Sequence, residues 1–388
     1  MQQFEFIDLF AGIGAFHVAL EEMGGKCVFA AEIDKNAVKV YEDNFGMNAN
    51  NDMFKIDPKD VPKHDVLCAG FPCQPFSNAG HKLGFSDTRG TLFFEIERVL
   101  KEHKTKFIIL ENVKHLVNHD NGNTYKVIIN HLKDLGYILT KEPLIISPHQ
   151  IGIPQNRERI FIIGIHKDYC NKEYLEFEMP NAEEYSLTSL YDLLDETVDK
   201  KYNISEEEKE VFDAWDEFKQ TFDKFPHPTL VDEFGATYDT TGLQDWKIAY
   251  CKRNREFYEN NKEKLDVWMK KYNVRDFKKR DRKFEWQAGE KYHSLYETLI
   301  QLRQSGIRCK RPEVFPALVA IVQTSIVGKH KRRITPKEAS RLQSFPEDYK
   351  LHETDAVAYK QLGNSANVKV IQYIAQQLFK QVNKGGNK

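Results

Sequence analysis

Short apolar runs alternate with helix-period stripes through the first ~165 residues. Phe4 to Phe10 reads as a strand, and after a glycine turn a helix is expected over about 15–22. Cys27–Ala31 and Asp65–Ala69 read as two further strands. Leu92, Phe93, Ile96, Val99 and Leu100 form one face of a helix over Thr91–His103. Phe107–Leu110 is again a strand, and Tyr125, Ile128, Leu132 and Leu135 mark a helix that Gly136 can terminate. Arg159–Ile165 gives one more strand. This alternation predicts an α/β fold with a mostly parallel sheet flanked by helices. The pattern fades after about residue 170 and returns at Gly363–Phe379, expected to dock as a helix on the first domain. A chain of 388 residues has room for one large domain and a smaller one.

Composition narrows the class. The hydrophobic share of 41% supports a real core. No apolar run approaches the ~20 residues of a bilayer span, and no secretory signal is visible, so a cytoplasmic protein without membrane contact is expected. Six scattered cysteines argue against a disulfide framework and against a Cys-rich zinc site, and no metal is expected. The formal charge of -2 conceals strong regional differences. Glu183–Glu217 holds thirteen acidic and three basic residues, net -10. Lys247–Lys283 holds fourteen basic against six acidic, and Arg303–Arg341 ten against two, each net +8. Such runs are either solvated faces or the footprint of a polyanionic partner.

Two places carry candidate chemistry. Asp8-Leu9-Phe10-Ala11-Gly12-Ile13-Gly14 lies between strand and helix, where glycines permit a sharp turn and close approach of a ligand. Glu32, at the end of the second strand, suits the two hydroxyls of a ribose. His17 stands where a dinucleotide fingerprint has its third glycine, which favours S-adenosylmethionine over a pyrophosphate cofactor. A structural turn with a surface Glu remains the alternative. Ala69-Gly70-Phe71-Pro72-Cys73-Gln74-Pro75-Phe76-Ser77 follows a buried strand. Cys73 is either a small buried hydrophobe or a nucleophile. Glu111-Asn112-Val113, ending the neighbouring strand, favours the second.

These segments, with Gln155-Asn156-Arg157-Glu158-Arg159, Arg333 to Ala339, Arg341 to Pro346 and Gly363-Asn364-Ser365, resemble the ordered motifs of the DNA cytosine carbon-5 methyltransferases. The resemblance covers roughly 4–166 and 308–380. It implies a Rossmann-like S-adenosylmethionine-dependent methyltransferase domain with a smaller target-recognition domain. The expected division is 1–167 catalytic, 168–326 target recognition, 327–350 a hinge and motif segment, and 351–388 completing the catalytic domain. It also implies methylation of carbon-5 of a specific cytosine in double-stranded DNA, by covalent addition of Cys73 to carbon-6 of a flipped-out base. The chain would then be a monomer that protects host DNA beside a cognate restriction endonuclease.

By the same resemblance Cys73, Glu111, Arg157 and Arg159 are the catalytic set. Arg159 is expected on the cytosine O2, and Arg157 near the loop or a phosphate. The cofactor is expected against Phe10, Ala11, Gly12, Gly14, Glu32, Ile33, Asp52, Met53, Pro72, Leu92, Asn364 and Ser365. DNA contacts are expected from Gln74, Ser77 and Arg89 in a lid over 71–91, and from Arg308, Lys310, Arg311, Gln323, Thr324 and Ser325. The aromatics Trp268 and Trp286 read more readily as core than as base-stacking platforms.

Overall fold

The computed structural model describes residues 3–72, 92–181, 183–319 and 324–382. The chain divides into two compact units. Unit 1 comprises Met1–Thr188, Ala317–Ile321 and Ala339–Lys388, and unit 2 comprises Ser189–Pro316 and Val322–Glu338.

Unit 1 is built on β1 (Phe4–Leu9), α1 (Ala15–Glu21), β2 (Gly25–Ala31), α2 (Lys35–Phe45), β3 (Val66–Gly70), α3 (Leu92–His103), β4 (Phe107–Val113) and α4 (Asn123–Asp134). There follow β5 (Tyr137–Leu139), β6 (Leu144–Ile146), β7 (Gln155–Asn156) and β8 (Arg159–His166). The central sheet runs β2-β1-β3-β4-β8-β5, with β6 also on β8. The pairs among β2, β1, β3 and β4 are parallel, while every partner of β8 is antiparallel to it. Among the described strands of this sheet six therefore run in one direction, as expected of a mostly parallel sheet, and β8 alone opposes them. α4 still carries the chain across from β4 to the co-directional β5, and the chain then turns back so that β8 lies antiparallel between them; hydrophobic runs carry no record of direction. Ile7, Leu9, Leu67, Ala69, Ile108, Leu110 and Ile160 fill the core, all 1% exposed or less.

The C-terminal segment, which follows α8 (Pro336–Leu342), returns to this sheet, but as two helices rather than one. α9 (Asp355–Asn364) ends at Ser365, whose backbone is extended at φ -68°, ψ 148°, and α10 (Val368–Phe379) restarts with Asn367 as its cap, accepting from the Val370 N–H. α10 lies on α1: Gln372 Nε2 donates to Glu22 at 2.6 Å, and the Phe379 ring meets Phe4 and Phe107 at 5.1 and 4.9 Å. Residues 168–188 belong to unit 1, so the boundary falls later than the expected 167/168. Leu175 N–H donates to Leu139, Thr188 N–H to Gly152, and Gln381 to the Glu176 carbonyl, tying this segment to the sheet unit.

Unit 2 contains α5 (Glu206–Thr221), β9 (Thr229–Leu230), α6 (Asp245–Asn260), α7 (Lys262–Tyr272), β10 (Lys283–Gln287), β11 (Leu299–Arg303), β12 (Gly306–Lys310), β13 (Phe315–Pro316), β14 (Ile326–Val327) and β15 (Arg332–Arg333). Its sheet runs β15-β14-β11-β12-β10-β9. One face packs on α5 and α7 through Phe284, Ile300, Ile307 and Trp215; Trp268 and Trp286 are core residues, 3% and 9% exposed. The acidic run is not merely solvated surface. Glu207 pairs with Lys278 at 2.6 Å, Glu217 with Lys271 at 2.5 Å, and Glu208 with Arg333 at 2.5 Å, so α5 neutralises part of both basic runs. Among the described residues no helix is long and apolar enough to cross a membrane.

Candidate active site

β1 ends at Leu9 and the chain turns through Phe10–Gly14 into α1. Phe10, Gly12 and Gly14 take φ of 56°, 55° and 81°. The left-handed region costs a residue with a side chain roughly 1–2 kcal/mol, so the surroundings hold Phe10 there. A Cβ on Gly14 would stand 2.4 Å from the Phe45 ring, whereas one on Gly12 would meet nothing within 4 Å. Gly14 is required by packing; Gly12 faces open space. Glu32 takes three backbone N–H bonds, from Gly12 on Oε2 at 2.8 Å and from Ile33 and Asp34 on Oε1 at 2.7 and 2.8 Å. Its carboxylate is thereby fixed beside the turn, with Ile33 69% exposed next to it. This arrangement fits a nucleoside: an anchored acceptor for a diol, an open glycine backbone and an exposed apolar side chain. His17 is buried, stacked on Phe45 at 3.7 Å and 2.7 Å from the Tyr41 hydroxyl; burial lowers its pKa to about 4 and keeps it neutral.

Asp52 lies in the loop after α2, where it accepts from the Phe54 N–H at 3.1 Å and pairs with Lys55 at 3.1 Å. The Met53 side chain is buried in the core, which leaves only its backbone for a ligand. Pro72 is exposed, and Leu92 is half-buried at the first residue of α3. Cys73, Gln74, Ser77, Arg89 and Gln323 lie outside the described residues, as does most of the expected lid.

The ends of β3 and β4 bring Gly70 opposite Glu111. A Cβ on Gly70 would sit 3.7 Å from Glu111 Oε2, so the glycine leaves room above the carboxyl group. Glu111 is 7% exposed, and Arg159 Nε lies 3.0 Å from Oε1. That separation is an ion pair without hydrogen-bond alignment, because Oε1 has no hydrogen-bond partner among the described residues. Burial pushes the Glu111 carboxyl above its usual range, and the Arg159 and Arg157 charges only partly offset this. Asn112, unnoticed in the sequence except as part of a motif, donates from Nδ2 to the Phe71 carbonyl at 2.7 Å and accepts from the Val113 N–H. It ties the end of β4 to the residues that enter the Pro72-Cys73 loop.

Arg157 does not stand near a phosphate, because it is 1% exposed. Its Nη1 donates to the Leu318 carbonyl at 2.9 Å, and its Nη2 to the Gly363 and Ser365 carbonyls, both at 2.7 Å. Burial and the neighbouring Arg159 lower its pKa to about 9. It is a staple between the Gln155–Arg159 motif and the Gly363–Ser365 motif. Gln343, fully buried, donates to the Leu362 and Ser365 carbonyls from the opposite side. Asn364 is exposed and Ser365 half-buried at the break between α9 and α10. Tyr349 donates to the Ile13 carbonyl, so the C-terminal segment also holds the glycine turn. Neither Gln343 nor Tyr349 has a signature that spacing alone could reveal.

In unit 2, Arg308 and Lys310 stand half-buried on β12, while Arg311 is exposed and donates to the Ala288 carbonyl. Thr324 is half-buried. Ser325 is 4% exposed, in place of the expected exposed base contact, and its hydroxyl accepts from Gln301 Nε2 at 3.4 Å. Among the described residues no group of three His, Cys, Asp or Glu is placed to hold a metal ion.

The sequence profile of the family described as C-5 cytosine-specific DNA methylase matches residues 4–380. The type II methyltransferase M1.ScrFI of Lactococcus lactis subsp. cremoris is 35% identical over 98% of this chain and 79% of its own length. The type II methyltransferase M.HhaI of Haemophilus parahaemolyticus is 33% identical over 97% of this chain and 95% of its own. In fold, the chain is similar to a putative DNA modification methyltransferase encoded within an E. coli prophage, with a TM-score of 0.61 at 21% identity, covering 98% and 99% of the two chains. An anchored carboxylate beside an open glycine turn and a buried acid at the end of β4 are thus set in a chain that, from its fourth residue to its 380th, belongs to the C-5 cytosine-specific DNA methylase family, enzymes that methylate DNA cytosine at carbon-5 with S-adenosyl-L-methionine as cofactor.

Proposed function

We propose that the protein methylates one cytosine within a specific sequence of double-stranded DNA through a covalent adduct with Cys73. Buried Glu111, with its raised pKa and unpartnered Oε1, is the observation that best supports this reading. Carbon-5 of cytosine is a weak nucleophile. The Cys73 thiolate adds to carbon-6 while Glu111 delivers its proton to N3, and the electron pair of the ring double bond becomes available at carbon-5. Phe10, Gly12 and Glu32 would hold S-adenosylmethionine, whose sulfonium would supply an electrophilic methyl group to that carbon and leave as the thioether S-adenosylhomocysteine. A base then takes the carbon-5 proton, the ring double bond re-forms, the thiolate departs and N3 returns its proton to Glu111. Arg159, 19% exposed beside Glu111, is placed to bind the cytosine O2. Arg157 acts at one remove, by holding the strand that carries Arg159. The base must leave the duplex to reach these groups.

In this reading unit 1 is the catalytic domain and unit 2 reads the target sequence. The setting is a monomeric, cytoplasmic modification enzyme that protects host DNA beside a restriction endonuclease. Its resistance pattern should be tested together with its chemistry. DNA from a host expressing the protein is expected to show 5-methylcytosine at one motif after bisulfite sequencing, and DNA from a Cys73→Ser host none. Duplex DNA carrying 5-fluorocytosine at that motif should trap a covalent complex with the wild type. Methylation that persists in Cys73→Ser would refute the mechanism, and its absence from the wild type would refute the reading itself.

A further inference from the structure

The face of the unit 2 sheet turned away from its core carries a transverse polar row. Gln301 on β11, Arg308 on β12 and Glu285 on β10 stand directly opposite one another in register. Arg308 donates from Nε to Glu285 Oε2 at 2.9 Å, and its Nη2 lies 2.7 Å from the same oxygen. Gln287 Nε2 adds a third donor to that oxygen at 3.2 Å. Gln301 is also held at both ends, its Oε1 by Arg303 Nη2 at 3.0 Å and its Nε2 by Ser325 at 3.4 Å. Both side chains are ordered before any partner arrives.

The row also differs from the other charged groups of unit 2. Lys271, Lys278, Arg332 and Arg333 each have their own carboxylate. Here Glu285 pairs with Arg308, and among the described ion pairs Arg303 and Lys310 beside it have no carboxylate of their own. Desolvation and mutual repulsion depress the pKa of Lys310 and Arg303, as expected where cations crowd without sufficient counter-charge. A surface ion pair kept for stability would not need that crowding, and such a pair contributes little. Among the described residues no acceptor engages Arg308 Nη1. An arginine fork held from behind and a fixed amide are the groups that read guanine and adenine edges in the major groove.

We propose that Arg308 is a specificity-determining residue that reads a guanine of the target site, and that Glu285 is the positioning residue that aims it. The proposal rests on the DNA-methylation reading and assigns its specificity to particular side chains. The test uses the full-length protein with S-adenosylmethionine and a pool of randomised duplex oligonucleotides, sequenced after bisulfite treatment. The wild type is expected to methylate one motif. Arg308→Ala should lower methylation of that motif about 10- to 100-fold and relax the requirement at one G·C pair. Glu285→Gln should relax the same pair with a smaller loss of rate. Arg308→Lys, which keeps the charge but not the fork, should not restore the preference; it carries the test if Arg308→Ala does not fold. Variants that keep every base preference and lose only rate or thermal stability would overturn the proposal. A wild type that methylates no duplex would instead overturn the reading on which it rests.

Discussion

At the scale of single residues, Glu111 shows how burial becomes chemistry. A carboxyl group at the surface would be ionised at neutral pH and could give no proton to a base. Its place at the end of β4 raises its pKa, and the Arg159 pair does not cancel the effect. Two outcomes follow for Glu111→Gln. Methylation should fall by about 10²- to 10⁴-fold, measured by methyl incorporation into duplex DNA, because an amide can hydrogen-bond the base but cannot protonate it. Stability should change in the other direction. A folded-state pKa above the unfolded one means that wild-type stability declines as pH rises above the unfolded value, up to the folded one. Denaturant midpoints of the variant should therefore gain on the wild type as the pH is raised above the ordinary carboxylate range. Of the site, Glu111 and Glu32 were legible from the chain because each lies at the end of a strand, where an α/β sheet displays its chemistry; Cys73 lies outside the described residues. Gln343 and Tyr349 were not. They act on backbone carbonyls at a distance of more than 300 residues in the case of Tyr349 and Ile13, and nothing local marks such a pairing.

At the scale of elements, the glycine turn separates two uses of the same residue type. Gly14 and Gly12 both have positive φ, but only Gly14 lies against another element, the Phe45 ring of α2. Gly14→Ala has to displace that ring as well as adopt a strained backbone. It should lose on the order of 2–4 kcal/mol of stability, read from chemical denaturation. Gly12→Ala should lose only about 1 kcal/mol, from backbone strain. Its effect should appear instead as weaker cofactor binding in calorimetry, because the new methyl group occupies the space into which the turn opens. Equal losses of stability in the two variants would contradict this division. The strands and helices that could be read up to Arg159 are those whose apolar periods agree with their final neighbours, whereas α2 and the short strands β5, β6 and β7 were not read. The antiparallel direction of β8 and the break at Ser365 were not, since both depend on contacts made after the elements exist. The same holds for α5: a run of carboxylates looks alike whether it faces water or, as here, Lys271, Lys278 and Arg333.

At the scale of the whole molecule, unit 1 is assembled from three stretches of chain, and Arg157 is bonded to all of them. It belongs to the first stretch, donates to Leu318 in the second, and to Gly363 and Ser365 in the third. A buried guanidinium that hydrogen-bonds no carboxylate among the described residues is costly to desolvate, and three carbonyls at 2.7–2.9 Å offset that cost. Arg157→Met would fill much of the space but leave the Leu318 and Gly363 carbonyls without this donor, while the Ser365 carbonyl keeps its bond from Gln343. Each buried, unpaired group costs roughly 1–3 kcal/mol, less whatever water recovers, so a loss of about 3–5 kcal/mol is expected. For a unit of this size that corresponds to a Tm lower by roughly 10 °C. The loss should not be uniform. β1, β3 and β4 are parallel neighbours held by their own ladder, so their amides should keep most of their protection in hydrogen exchange, while those of α9 and the start of α10 should exchange faster. Arg157→Lys, which retains the charge but cannot span three carbonyls, should fall between the two. Equal acceleration across β1–β4 and α9–α10 would show that Arg157 supports the unit as a whole and does not fasten its last segment.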